Sequence, residues 1–498
     1  MINISKSRYT SFTACPKQFW LNFHKPELAE KIDAGLEMRF EQGNEVGKIA
    51  LTLFDGVIET TVRTPDGSLD IGTMCETTKR LIAENCPAIA EAAFSGGGVY
   101  CAVDVLKNNG DGTYDIYEVK SSTSCKPIYL CDVAFQRYAL TVCGVKVRRC
   151  HVVYINNQYV RNGDIEPSAL LVIEDVTGLL AEFEKDIPAN LERAQALYKS
   201  AEEPPMDINE NCHAPYSCAF YGYCSRHLPA KSIFNLYRYG KKFESYRKGI
   251  ISFEDIRNAK IKLNATQQRQ IDFELDNKPP FVDKLKIKEF LNKIKFPIYF
   301  LDFETYQTAL PPYDGFKPYQ QITFQYSLHI LNDNAQLTHK EFLADENKNE
   351  WRTLAEQLIN DIPQDGGSVV VYNASFERTR IREMATAFPD LAEPLLNINA
   401  RMIDLLDVFR GGYLYTKEMG GSFSIKSVLP ALYPDNPDLD YHANEDVQGG
   451  MAATQAFLSL KHRPQDERER VRQNLLKYCG LDTMAMVVVY KGLCEQMV

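Results

Sequence analysis

A chain of 498 residues is too long for one ordinary core, so two or three domains are expected. Apolar residues at 45% and charged residues at 24% give the balance of a soluble globular protein, and no apolar run reaches the length of a membrane span. The formal charge of −10 excludes no nucleic-acid partner, because local basic clusters make such contacts and net charge governs only long-range steering.

The start, MINISKSRYTSFTACPKQFW, lacks the apolar stretch of a secretory signal, so a cytoplasmic location is expected. Thirteen cysteines in that setting point to reduced thiols and metal ligation, not to a disulfide framework. Residues 1–50 read as helical, with apolar spacing through Phe12, Phe19, Trp20 and Phe23. From Val99 the texture changes: VYCAVDVL, the polar turn NNGDG and TYDIYEVKSS form a predicted hairpin. A helix over Ile128–Thr141, the strand CHVVYI and a long charged helix near Leu179–Ser200 follow, and together these make an α/β core.

Residues 231–296 carry sixteen Lys/Arg against eight Asp/Glu and read as a separate basic helical connector. Its aromatics Tyr237, Tyr239, Phe243 and Tyr246 are candidates for gripping a nucleic-acid strand. A second α/β unit then opens with PIYFLDFET, followed by QITFQYSLHIL, a helix near Trp351–Leu358 and the strand SVVVYN. Three domains result: 1–230, 231–296 and 297–498.

Three constellations carry chemistry. Asp104 ends one predicted strand and EVK at 118–120 ends the next, so Asp104, Glu118 and Lys120 meet at one sheet edge, the last two on one face. Two carboxylates hold a hard divalent cation, and the lysine orients the attacking water. Upstream lies Glu45 in FEQGNEVGKIA; downstream, Gln136 and Tyr138 lie in AFQRYAL. The set resembles the RecB-like branch of the PD-(D/E)XK nucleases, which implies that Glu45, Asp104, Glu118, Lys120 and Gln136 line one site.

Cys212, Cys218 and Cys224 stand at equal spacings in CHAPYSCAFYGYC, and Cys15 lies far upstream in ACPKQFWL. Four thiolates hold either a 4Fe–4S cluster or a tetrahedral zinc. One cysteine before the nuclease core and three after it resembles the iron–sulfur RecB-like exonucleases, which implies a structural 4Fe–4S cluster, with zinc as the alternative.

In the last third, Asp302 and Glu304 share a strand face, Glu377 follows VYNASF, and Tyr478 and Asp482 fall four apart on a helix. This resembles the DEDD exonucleases of the RNase H-like fold in their tyrosine variety, with Glu377 in place of the second motif's aspartate. The resemblance implies two cations, Mg²⁺ or Mn²⁺, on Asp302, Glu304, Glu377 and Asp482, with Tyr478 on the attacking water.

The whole resembles bacterial two-domain RecB-like proteins of unknown function. The expected activity is metal-dependent hydrolysis of DNA at single-stranded or frayed ends, in repair, processing or defence, with RNA also open as substrate. No GxxxxGK[ST] loop is present, so unwinding is expected from a helicase partner. The alternatives are an end-binding scaffold with silent sites and a cluster-gated redox sensor.

Overall fold

The computed structural model describes residues 2–30, 34–214, 217–434, 447 and 449–497. The chain is mixed α/β and divides into two compact units: Met1–His227 with Thr308–Gln320, and Leu228–Gln307 with Gln321–Val498. Among the described residues, no helix is long and apolar enough to cross a membrane.

The first unit is built on a seven-stranded sheet. Its strands are β1 (Ile4–Ser5), β2 (Val57–Glu59), β3 (Ala88–Gly96), β4 (Val99–Asn108), β5 (Tyr114–Lys120), β6 (Val147–Ile155) and β7 (Leu171–Asp175). The order is β2-β3-β4-β5-β6-β7, with β1 added parallel to β4. β4 and β5 form the antiparallel hairpin that the alternating pattern predicts, and Gly110 and Gly112 take the left-handed φ values of its turn.

The N-terminal stretch begins with β1, then gives helices α1 (Lys6–Ala14) and α2 (Pro16–His24). They break at Cys15, whose extended backbone ends one helix and caps the other ahead of Pro16. Helices α3 (Ala34–Leu51), α4 (Ile71–Ala83) and α5 (Pro127–Val142) complete the part used below. α5 buries Val133, Ala134, Phe135 and Leu140 with Val103, Ile116 and Val152 of the sheet. The helix expected over Leu179–Ser200 is shorter: a turn at Ala181–Glu184 precedes Ile187–Lys199, which restarts with Pro188 in its first turn.

Residues 308–320 come late in the chain but build into this first unit. Arg161 donates to the carbonyls of Pro311 and Pro312 at 3.0 Å each, and Tyr319 Oη to Ser121 O at 2.5 Å. Ala309 is fully buried among Val46, Ala50 and Val105.

In the second unit, β8 (Phe281–Val282) is followed by β9 (Ile298–Tyr306), β10 (Ile322–Leu331), β11 (Leu337–Leu343), β12 (Ser368–Val371), β13 (Met402–Asp404) and β14 (Leu414–Tyr415). Five of these form one sheet in the order β11-β10-β9-β12-β13. β12 lies parallel to both β9 and β13, while β10 is antiparallel to its neighbours. The 31-residue helix Gln465–Glu495 packs across β9 and β10.

The segment 231–296 is part of this unit and not a separate connector. Its apolar residues Phe273, Ile287 and Phe290 share a core with Phe300, Phe409 and Leu429, and β8 pairs with β14. A short helix with an apolar stripe is not stable alone and must bury that stripe on a neighbour. The same logic takes up its aromatics: Tyr239, Phe243 and Tyr246 are buried, and Tyr237 packs on Phe423. Tyr239, Phe243 and Tyr246 are thus core residues, and Tyr237 is half-buried against the same core.

Candidate metal centres and catalytic residues

In the first unit the sheet places the acids where its pleat slips. On β4, Val103 and Leu106 share the core under α5 although they stand an odd three positions apart, and on β3 so do Ile89 and Ala92. Glu91, opposite the slip, has a left-handed φ of 52°. An irregularity of this kind re-aims one side chain out of the two-residue alternation. Asp104 occupies that point, and its Oδ2 accepts from Val119 N at 2.7 Å, which ties the two strands together.

Glu118, which is 1% exposed, is ringed by donors. Lys120 Nζ and Lys6 Nζ each lie 2.7 Å from its Oε1, and Gln136 Nε2 donates to Oε2 at 2.6 Å. Lys120 also pairs with Asp132 at 2.9 Å, and Asp132 in turn accepts from Thr10 at 3.0 Å. Burial pushes the Asp104 carboxyl up to about 7, with the charge of Glu118 adding to the effect. Burial acts on Glu118 in the same direction, but Lys120 and Lys6 overcome it and hold that carboxyl well below its ordinary range. Two neighbouring acids are thus driven apart by environment.

The structure brings Asp104, Glu118, Lys120 and Gln136 together and leaves Glu45 out. α3 meets the end of β5 through Gly43, whose Cβ position lies 3.8 Å from Ser121 Oγ. Glu45, about 200° further round the helix, is exposed. Lys6, Thr10 and Asp132 were not found by sequence reasoning. Asp132 had a signal, since it stands four residues before Gln136 on one helix face. Lys6 had none, for 112 positions separate it from Glu118.

The four cysteines Cys15, Cys212, Cys218 and Cys224 line one pocket, together with Lys17, Met206 and Phe220. Gln18 N donates to Cys15 Sγ and Asn209 N to Cys212 Sγ, each at 3.4 Å, and the Phe220 amide favours the Cys218 thiolate. Burial pushes Cys218 up to about 11 and raises Cys212 and Cys224. Among the described residues, no three of these sulfurs lie within 4.8 Å of one another. Tetrahedral zinc at about 2.3 Å from each sulfur requires separations of roughly 3.8 Å. A cubane takes each thiolate on a different iron and so needs wider spacing. Amide donors to sulfur fit either ion.

In the second unit, Asp302 and Glu304 project from β9, and the helix Gln465–Glu495 brings Asp482 to them. One carboxylate oxygen from each lies within 4.8 Å of the others, the one such group of acid, His or Cys ligand atoms among the described residues. Burial pushes Glu304 up to about 8 and Asp302 well above the usual range, with the charge of Asp482 next in both. Glu377 also reaches about 8, chiefly by burial, and its Oε2 is buried with no hydrogen-bond partner. Glu377 stands outside the close trio but acts electrostatically on Asp302 and Glu304.

Its position is fixed by Asp404 at the end of β13. That carboxylate accepts from the amides of Asn373, Ala374 and Leu406 at 2.8, 2.9 and 3.0 Å, and so anchors the start of the helix Ser375–Ala387. Tyr478, buried one turn before Asp482, accepts a hydrogen bond from Lys426 Nζ at 3.0 Å. Lys426 and Asp404 were not singled out in the sequence, although both lie in the stretches RMIDLLDVF and SFSIKSVLPAL.

A domain of unknown function (DUF2779) matches residues 299–424, a span that takes in Asp302, Glu304 and Glu377 and stops before Tyr478 and Asp482. Among curated proteins, the chain is similar to the uncharacterized protein MG366 of Mycoplasma genitalium, 29% identical over 221 residues, 41% of this chain and 33% of the relative. Its homolog in Mycoplasma pneumoniae is 30% identical over 222 residues, with the same coverage. The uncharacterized protein UU173 of Ureaplasma parvum is 32% identical over 165 residues, 30% of this chain and 23% of the relative. The chain therefore spans a third or less of the length of these relatives.

Proposed function

We propose that the protein is a divalent-metal-dependent nuclease with two active sites, a PD-(D/E)XK site in the first unit and a DEDD exonuclease site on an RNase H-like core in the second. The observation that carries the reading is the crowding of Asp302, Glu304 and Asp482, one carboxylate oxygen of each within 4.8 Å of the others. Buried like charges at that spacing raise each other's pKa and cost stability unless a cation joins them, and three hard oxygen ligands with the orphaned Glu377 Oε2 fit Mg²⁺ or Mn²⁺. Such a cation supplies positive charge to a phosphodiester and acidifies water. Tyr478, with one lone pair taken by Lys426, keeps its own proton and a second lone pair to orient water. In the first unit, Asp104 and Glu118 offer the ligand oxygens and Lys120, steadied by Asp132, stands beside them. The cysteine pocket, joining α1 and α2 to the segment after Ile187–Lys199, is read as the seat of a structural 4Fe–4S cluster, supported by the convergence of four thiols from both ends of the unit on one pocket.

The test is release of nucleotides from end-labelled single-stranded DNA, with RNA alongside, in Mg²⁺ or Mn²⁺. Asp302→Asn is expected to lower 3′-directed release by at least about a hundredfold and to leave Lys120-dependent cleavage intact. Absence of metal-dependent release in the wild type refutes the proposal. An anaerobic preparation with broad visible absorption that Cys218→Ser abolishes is expected for the cluster; a colourless protein with stoichiometric zinc refutes it.

A further inference from the structure

Glu118 Oε1 receives two ammonium groups at 2.7 Å, and the two are not equivalent. Lys120 is held from three sides: by Glu118, by Asp132 at 2.9 Å and by the ring of Tyr129 at 5.2 Å. The Lys6 ammonium has Glu118 as its one hydrogen-bond partner among the described residues. Its backbone is nonetheless fixed, because β1 pairs with Val99 and Tyr100 of the strand that carries Asp104, Ile4 is fully buried, and Ser5 caps α1 through Arg8 N. A rigid base therefore carries a flexible four-carbon stem whose charged end rests on a single carboxylate oxygen.

The charge of Lys6 acts on Asp104 as well as on Glu118, so the ammonium competes with any cation that the two carboxylates would share. Gln136 donates to Oε2 and two ammonium groups crowd Oε1, so a divalent ion approaching Glu118 competes with the charge of both lysines. Lys120, triply held, stays; Lys6 is the residue able to move. We propose that Lys6 is a tethered counter-ion that keeps the cation's place on Glu118 and, once displaced, binds a non-bridging phosphate oxygen of the nucleic-acid strand. The proposal rests on the phosphodiesterase reading of this site. It gives the buried carboxylate a partner in both states, so the site never holds an uncompensated charge. It also places the displaced ammonium beside the phosphate, on a side chain 24% exposed and within reach of solvent.

The experiment uses the full chain with Asp302→Asn throughout, so that manganese binding reports the first unit. Free Mn²⁺ is followed by electron paramagnetic resonance, and oligonucleotide cleavage gives KM and kcat. Lys6→Met is expected to bind Mn²⁺ roughly tenfold more tightly, the weight of one charge-assisted hydrogen bond removed from competition, while KM for the oligonucleotide rises. Lys6→Arg is expected to retain the weaker metal affinity and the lower KM. Lys6→Gln, a smaller perturbation of the fold, is expected to change both quantities in the direction of Lys6→Met. Mn²⁺ binding that Asp104→Asn abolishes but that Lys6→Met and Lys6→Gln leave unchanged overturns the role of Lys6 alone. Absence of any Asp104-dependent Mn²⁺ binding overturns the phosphodiesterase reading of the site, and the role of Lys6 with it.

Discussion

The two acid clusters solve the same electrostatic problem in opposite ways. In the first unit, Asp104, Glu118 and Asp132 are offset by Lys6 and Lys120, so the buried charge is compensated within the chain itself. In the second, Asp302, Glu304 and Asp482 are crowded together, and Lys426, whose charge acts on Glu304, donates a hydrogen bond to Tyr478. One cluster carries its counter-charges within the chain, and the other gathers like charges at close range. A set of ligand carboxylates is therefore not by itself a measure of metal dependence; the cations already built around it decide that.

The comparison breaks or sharpens on substitutions of opposite sign. Lys120→Met removes one partner of a buried pair and is expected to destabilise the first unit by about 3–5 kcal/mol in denaturant melts. Asp302→Asn removes one of three repelling charges and is expected to stabilise the metal-free second unit by about 2 kcal/mol at alkaline pH. Destabilisation by both would erase the contrast.

pH separates the clusters as well. Glu304 and Glu377 are raised from their ordinary 4.5 to about 8, so between those values the folded state holds protons that the unfolded state has lost. The metal-free second unit should lose stability as pH rises from about 4.5 through about 8, and Mg²⁺ should restore most at the alkaline end. Glu118, held low by its lysines, has the reverse sign: its contribution is present above its ordinary 4.5 and fades only as pH falls further. A melting temperature of the metal-free second unit that climbs from mildly acidic to alkaline pH would contradict the assignment of Glu304 and Glu377.

The smallest expected effect falls on Lys426→Met. It should lower kcat of the 3′-directed reaction by about tenfold with little change in KM, because it orients Tyr478 and does not hold the strand. Lys426→Arg should recover part of the loss, and an equal rise in KM would instead make Lys426 a strand-binding residue.

Much of this was legible in the chain. Alternation at two placed Asp302 with Glu304 and Glu118 with Lys120 on shared faces, and the four-residue helical repeat placed Tyr478 above Asp482. These are local periodicities, fixed by backbone geometry whatever the rest of the fold does. Helix α5, the β4–β5 hairpin and the apolar strand β9 were equally readable, since each is a short run with one dominant pattern. Glu45 was misplaced because helical periodicity gives a face but not the direction in which that face is turned.

The sequence by itself determined which residues are candidates for chemistry: acids on strand ends, thiols at even spacing, a phenol one turn from a carboxylate. Only the tertiary structure decided their company. It brought Lys6 across 112 positions to Glu118, folded 231–296 into the second unit, built 308–320 into the first, and left Glu377 beside rather than inside the trio of close oxygens. Each of these depends on which apolar faces find one another, and burial of apolar surface is non-directional, so no local pattern in the chain can encode it.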